Sequence, residues 1–302
     1  MLDAPVVVAP AEEPGLANAP VSERRSLWHF VWLRLRRNRS AMFGGLLLVV
    51  IVCTAFAGLF LARNTFNIQT TEVRLPPSSW HWFGTDDLGR DIRERLLYGA
   101  HLTLGTGVCI VLLASLFGVP LGLASAYFGG RLDNWSMRAM DVLLAFPSIL
   151  LAMAIMAALG FNLRNIVIAI AIVYIPKFAR VARSAALVER QLDYVRAAEA
   201  LGCGRRRILF LHLLPNCIAP VLVLSTLSLA TAILEAAALS FLGLGAQPPL
   251  PEWGRMLNDG RATFQTHPHM MLFPGLAIAT TVLAVNLLGD GLRDAFDVRL
   301  GQ

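Results

Sequence analysis

The stretch Tyr194–Asn216 reads YVRAAEALGCGRRRILFLHLLPN and lies between two long apolar segments. It carries Arg196, Arg205, Arg206 and Arg207. Ala197, Ala198, Ala200 and Leu201 are strong helix formers. Gly202 can take the left-handed conformation that ends a helix. Cys203-Gly204 extends the turn, Arg205–Leu213 restarts the helix, and Pro215 is expected to stop it. The reading is two short helices joined at Gly202, a basic elbow between apolar runs.

Those runs set the class. The 302 residues are 56% hydrophobic and only 15% charged, with mean hydropathy +0.60, against about 25% charge in ordinary soluble domains. Several runs reach the ~20 residues needed to cross a bilayer. The pattern predicts an all-α polytopic membrane protein with six spans: Ala41–Ala62, Leu104–Phe128, Met137–Leu159, Ile166–Leu187, Cys217–Leu242 and Met271–Leu288. Pro120, Pro147, Pro176 and Pro220 fall inside spans, where membrane bundles tolerate kinks. Pro176 is expected to break the fourth.

Net charge is +6, but the basic residues sit in short segments between apolar runs, which sets orientation rather than nucleic-acid binding. With six spans and both termini inside, 18 of the 26 Lys and Arg residues fall on the cytoplasmic side and 8 outside. Residues 1–21 lack periodicity and read as a disordered cytoplasmic tail. Residues 22–40, SERRSLWHFVWLRLRRNRS, read as an amphipathic helix at the inner membrane surface. Residues 41–302 form the membrane domain, with the elbow 194–216 as its cytoplasmic loop. Lys177, Arg180 and Arg183 share a broad helix face and are expected to reach the inner headgroups.

Little in the chain points to catalysis. No nucleophile–base pair or metal spacing stands out, and Cys53, Cys109, Cys203 and Cys217 lack CxxC spacing; all four read as packing residues. The single lysine, Lys177, does not follow a glycine, so a GxxxxGK[ST] phosphate loop is absent. His267 and His269 read as a surface loop. Asp86, Asp87 and Asp91 read as caps and surface charge, with Asp91 opening a helix over Ile92–Tyr98. Glu235 is the most informative single residue. A charge at a span centre costs about 2.5–3.5 kcal/mol on insertion scales and usually faces the bundle interior or a cavity. Glu235 is a translocation-path candidate or a packed, hydrogen-bonded carboxyl; Asp141, nearer the membrane edge, is a second candidate or a local interfacial contact.

The elbow resembles the coupling loop of permease subunits of bacterial ATP-binding-cassette importers: Ala197-Ala198, Gly202 and Leu214-Pro215 stand at the family spacing. Arg196 replaces the usual acid and His212 an aliphatic, as in peptide-type members. FGTDDLGRDI (83–92), FLGLGAQPPLPEWGRMLNDGR (241–261) and NLLGDGLRDAFDVRL (286–300) extend the resemblance to the dipeptide, oligopeptide and glutathione permease group. The resemblance implies a type I importer permease fold. It implies that Arg196, Ala197, Ala198, Glu199, Leu201, Gly202, Arg205 and Arg206 couple the chain to an ATPase. It also implies a heterodimer with a paralogous permease, two cytoplasmic ATPase subunits holding ATP and Mg, an extracytoplasmic substrate-binding protein, and a home in the bacterial inner membrane. Two other readings stay open on the residues alone: a proton-coupled secondary transporter working through Glu235, and a membrane scaffold subunit with no pathway of its own.

Overall fold

The structure is a computed structural model that describes residues 27–297, so the expected tail 1–21 and the first residues of the amphipathic segment lie outside it. Eleven helices make up the described chain: α1 (Leu27–Arg37), α2 (Arg39–Leu61), α3 (Ile92–Phe128), α4 (Gly130–Leu144), α5 (Ser148–Leu159), α6 (Leu163–Glu189), α7 (Asp193–Ala200), α8 (Arg205–Arg207), α9 (Leu214–Phe241), α10 (Trp253–Gly260) and α11 (His269–Asp297). Five are long and apolar enough to cross a membrane, taking α8, the turn after it and α9 as one rod, Arg205–Phe241; α4 and α5 together form a sixth, bent unit.

The core is built on α3 and α6. Gly118 and Gly122 are spaced as in the small-xxx-small pattern that lets membrane helices approach closely. A Cβ on Gly122 would sit 2.2 Å from the Ala179 carbonyl oxygen, and one on Gly118 would sit 2.7 Å from that of Ile175. Backbone therefore meets backbone, and Tyr174 and Phe178 are fully buried beside the contact. Packed against α3 at this contact, α6 runs unbroken through Pro176, contrary to the expected break. Helices α2, α9 and α11 pack around this pair, and α2 leaves Phe43, Leu46, Phe56 and Phe60 exposed.

Three further expectations, on where helices begin and end, need correction. The third span is not one rod: α4 and α5 meet at 95° across Ala145–Pro147. Pro147 lacks an N–H and disfavours the helical region for Phe146, so α4 ends and α5 restarts at Ser148. The helix capped by Asp91 does not stop at Tyr98 but continues through the membrane to Phe128, about 55 Å. Its apolar continuation gives the chain no reason to stop. Pro215 does not end the elbow either; it lies in the first turn of α9.

At the end of the bundle where α3 begins, the segment 62–91 folds over the helix tips. Asp86 is not surface charge: it is buried and pairs with Arg90 (2.7 Å) and Arg95 (3.4 Å). Arg95 is 2% exposed on the first turns of α3, and a buried cation needs a counter-charge. Asp91 caps α3 through the amides of Arg93 and Glu94 and also meets the His81 ring (2.7 Å), whose other nitrogen meets Glu72 (3.1 Å). His269 is likewise not a surface residue; it starts α11 and is buried under the Gly84 turn. Glu252, 1% exposed, caps α10 through the amides of Gly254 and Arg255 and accepts a bond from the Thr103 hydroxyl of α3. Burial pushes its carboxyl above the usual range, partly offset by those bonds.

Candidate functional site

The elbow lies at the opposite end of α3. Helix α7 ends as the alanine-rich sequence requires: Gly202 has φ +77°, its amide bonds to the Glu199 carbonyl, and the Cys203 amide bonds to the Ala198 carbonyl. These two bonds are the Schellman arrangement, which needs a residue free to adopt positive φ. Nothing lies within 4 Å of the space a Gly202 side chain would fill, so backbone conformation alone selects glycine. Arg196, Ala197, Glu199, Leu201, Gly202, Arg205 and Arg206 are all exposed, and Leu201 stands 85% exposed at the tip. Ala198 and Val195 face inward and are buried. Ala198 therefore packs against the chain itself, beneath the exposed face of the elbow.

Beyond Arg207 the chain widens into a π turn, Ile208–Leu213, in which the Leu214 amide reaches back to the Leu209 carbonyl. Pro215 has no amide hydrogen to give, and its neighbourhood is completed by side chains: Asn216 Nδ2 donates to the His212 carbonyl (2.8 Å) and to the Tyr194 hydroxyl (2.8 Å). Tyr194 in turn donates to the Glu189 carboxylate. One phenol thus joins the last turn of α6, the start of α7 and the first turn of α9. Burial, then the Glu189 carboxylate, push the Tyr194 hydroxyl up to about 12, so it stays a donor at any working pH. Arg190 donates to the Ala126 carbonyl (3.1 Å) at the end of α3, and Arg205 lies 5.9 Å from the centre of the Phe128 ring. The elbow is hydrogen-bonded to α6 and α9 and places Arg205 over the Phe128 ring at the end of α3. Sequence reasoning missed Tyr194, Glu189 and Asn216; the one available signal was a tyrosine and an asparagine bracketing the basic run.

Glu235 sits on α9, half-buried, and accepts a hydrogen bond from the Ser148 hydroxyl (2.9 Å) at the restart of the broken span. One turn earlier, Thr231 bonds to the buried Tyr174 hydroxyl of α6 (3.1 Å). The break at Pro147 therefore delivers a hydroxyl to the carboxyl of a neighbouring span, and α5, α6 and α9 share one polar cluster. Asp141 lies elsewhere, on exposed α4 surface, paired with Arg180 of α6. Asp133, also on α4, holds Arg183 through two bonds of 2.6 Å, and Lys177 lies 4.1 Å from the centre of the Tyr174 ring. The basic face of α6 thus meets two carboxylates of α4 and an aromatic ring within the chain.

These features define a membrane-embedded transport subunit: apolar rods, a half-buried polar cluster shared by α5, α6 and α9, and a basic elbow presented at one end. Residues 118–302 match the family model described as the inner membrane component of binding-protein-dependent transport systems, and residues 26–77 match the N-terminal transmembrane domain of oligopeptide transport permease C. The chain belongs to this family of transport permeases. It is 47% identical over 276 residues to the dipeptide transport system permease protein DppC of Alkalihalophilus pseudofirmus, covering 91% of each chain. It is 44% identical over 292 residues to the glutathione transport system permease protein GsiD of Pectobacterium atrosepticum, covering 94% of this chain and 96% of that one. Among solved structures, the inward-facing MetNI methionine ABC transporter aligns at TM-score 0.54 with 19% identity over 67% of this chain and 96% of its own, a likeness of fold. The chain is a multi-pass inner-membrane permease subunit of the ATP-binding-cassette importer class.

Proposed function

We propose that the chain translocates dipeptides or short peptides across the bacterial inner membrane, driven by ATP and Mg bound on two cytoplasmic ATPase subunits and with no catalysis of its own. Its other half is a paralogous permease, and an extracytoplasmic binding protein supplies the peptide. Both termini are cytoplasmic, α1 is a surface helix, and residues 41–302 are the permease domain. The exposed elbow residues Arg196, Ala197, Glu199, Leu201, Gly202, Arg205 and Arg206 form the ATPase-docking surface, with Ala198 packed beneath them. Glu235 lines the path and offers a carboxylate to the peptide ammonium group. Asp141 lies at the rim, where Arg180 holds it.

The observation that supports this reading best is the bonding of the elbow. A helix tip with an exposed leucine, tied through Tyr194 to α6 and α9, can hand a partner's motion to the spans without first unfolding. A two-state bundle biased by a partner needs such a stiff contact. The test is peptide uptake into vesicles holding the complete complex. Uptake that requires hydrolysable ATP and falls on Glu235→Ala is expected. Uptake driven by a proton gradient alone, or transport indifferent to Glu235→Ala, would overturn the proposal.

A further inference from the structure

Helix α5 is half a span. Its 12 residues rise about 18 Å, against a hydrocarbon core of ~30 Å. Its far end closes on the polar turn of Asn162 and Asn165, so its near end, Ser148, falls at membrane depth. Ala152 and Met156 of α5 are buried in one cluster with Ile166 and Ile170 of α6, so α5 rides on α6. Toward α9 it extends the Ser148 hydroxyl, which donates to Glu235 Oε1 at 2.9 Å. Helices α6 and α9 are tied separately, one turn away, by Tyr174 and Thr231 at 3.1 Å. The placement of the Glu235 carboxyl therefore depends on where α5 begins. Pro147 sets that start: it disfavours helix at Phe146, and α5 opens at the next residue with no side-chain cap of its own.

Glu235 is half-buried on a long, rotatable side chain. Ordering such a side chain only when a ligand arrives weakens the contact by about two- to tenfold. The Ser148 hydroxyl orders it beforehand by holding one oxygen. A carboxylate accepts from several donors at once, so the held group can still receive an ammonium. We propose that Ser148 is a positioning residue for peptide recognition: it keeps the Glu235 carboxyl in the geometry that meets the peptide ammonium group, and the break at Pro147 is what brings it there. This role rests on Glu235 lining the path as proposed above, and Ser148 acts through it.

Peptide uptake into vesicles holding the complete complex tests this, scored per assembled complex and at varied concentrations of peptide-loaded binding protein. Ser148→Ala should lower the maximal rate about fivefold and leave the half-saturating concentration of loaded binding protein unchanged, because docking precedes the meeting with Glu235. Ser148→Thr keeps the hydroxyl and should restore the rate. In a Glu235→Ala background, Ser148→Ala should add nothing, since a residue that works through its neighbour has no effect once that neighbour is gone. The same loss in both backgrounds, or a threonine variant as poor as the alanine one, overturns the proposal. Ser148→Ala equal to wild type beside a damaging Glu235→Ala overturns it alone and leaves Glu235 in the path. A harmless Glu235→Ala overturns both.

Discussion

Replacing Tyr194 by phenylalanine removes one oxygen from the joint between the elbow and the spans. That oxygen donates to a carboxylate and accepts from Asn216. A bond to a charged group is worth about 1.5–3 kcal/mol and a neutral one about 0.5–1.5. Tyr194 is 41% exposed, so water replaces part of both; about 1–2 kcal/mol is the net loss. If the joint carries the coupling, that loss shifts the balance between coupled and uncoupled states by roughly 5- to 30-fold. The assay measures peptide uptake and ATP hydrolysis together in vesicles holding the full complex. Hydrolysis should persist while peptide carried per ATP drops, and the thermal midpoint should fall only slightly. Unchanged stoichiometry would refute the reasoning. A proportional fall of both rates would show that Tyr194 serves assembly and not transmission.

Other outcomes follow from single contacts. Leu201 is 85% exposed, so Leu201→Glu should change stability by no more than about 0.5 kcal/mol, whereas co-purification of ATPase subunits should drop at least tenfold; intact association would remove Leu201 from the docking surface. Gly122→Ala drives a methyl into the Ala179 carbonyl and should cost about 1–3 kcal/mol or more, while Gly105→Ala, with nothing within 4 Å, should cost far less; equal thermal shifts would contradict the α3–α6 contact. Asp91, then Glu72, hold the His81 imidazolium above its ordinary 6.5 despite some desolvation. A raised value in the folded state means the stabilisation is complete below about pH 6.5 and is lost as pH rises through the folded value. The melting difference between wild type and His81→Gln should therefore be largest near pH 5.5 and shrink by pH 8.5; a difference independent of pH would dismiss the bridge.

The spans were readable in the sequence because a helix in lipid must satisfy its backbone within itself and carry apolar side chains, conditions met residue by residue along the chain. The elbow was readable for a similar reason: alanines, one glycine able to take positive φ, and a basic run all act locally. The prolines were not. Pro120 and Pro176 lie within continuous helices and Pro147 ends one, because neighbouring backbone decides whether a missing hydrogen bond is tolerated. The same limit hid the burial of Asp86 and the meeting of Ser148 with Glu235. These depend on which residues, far apart in the chain, arrive at one place, and a carboxylate's role is set by the cation or hydroxyl that reaches it. Hydropathy and charge order, taken alone, determined that this chain crosses a membrane several times with a basic elbow; only packing decided that the elbow is bonded to α6 and α9 and that a broken helix brings a hydroxyl to Glu235.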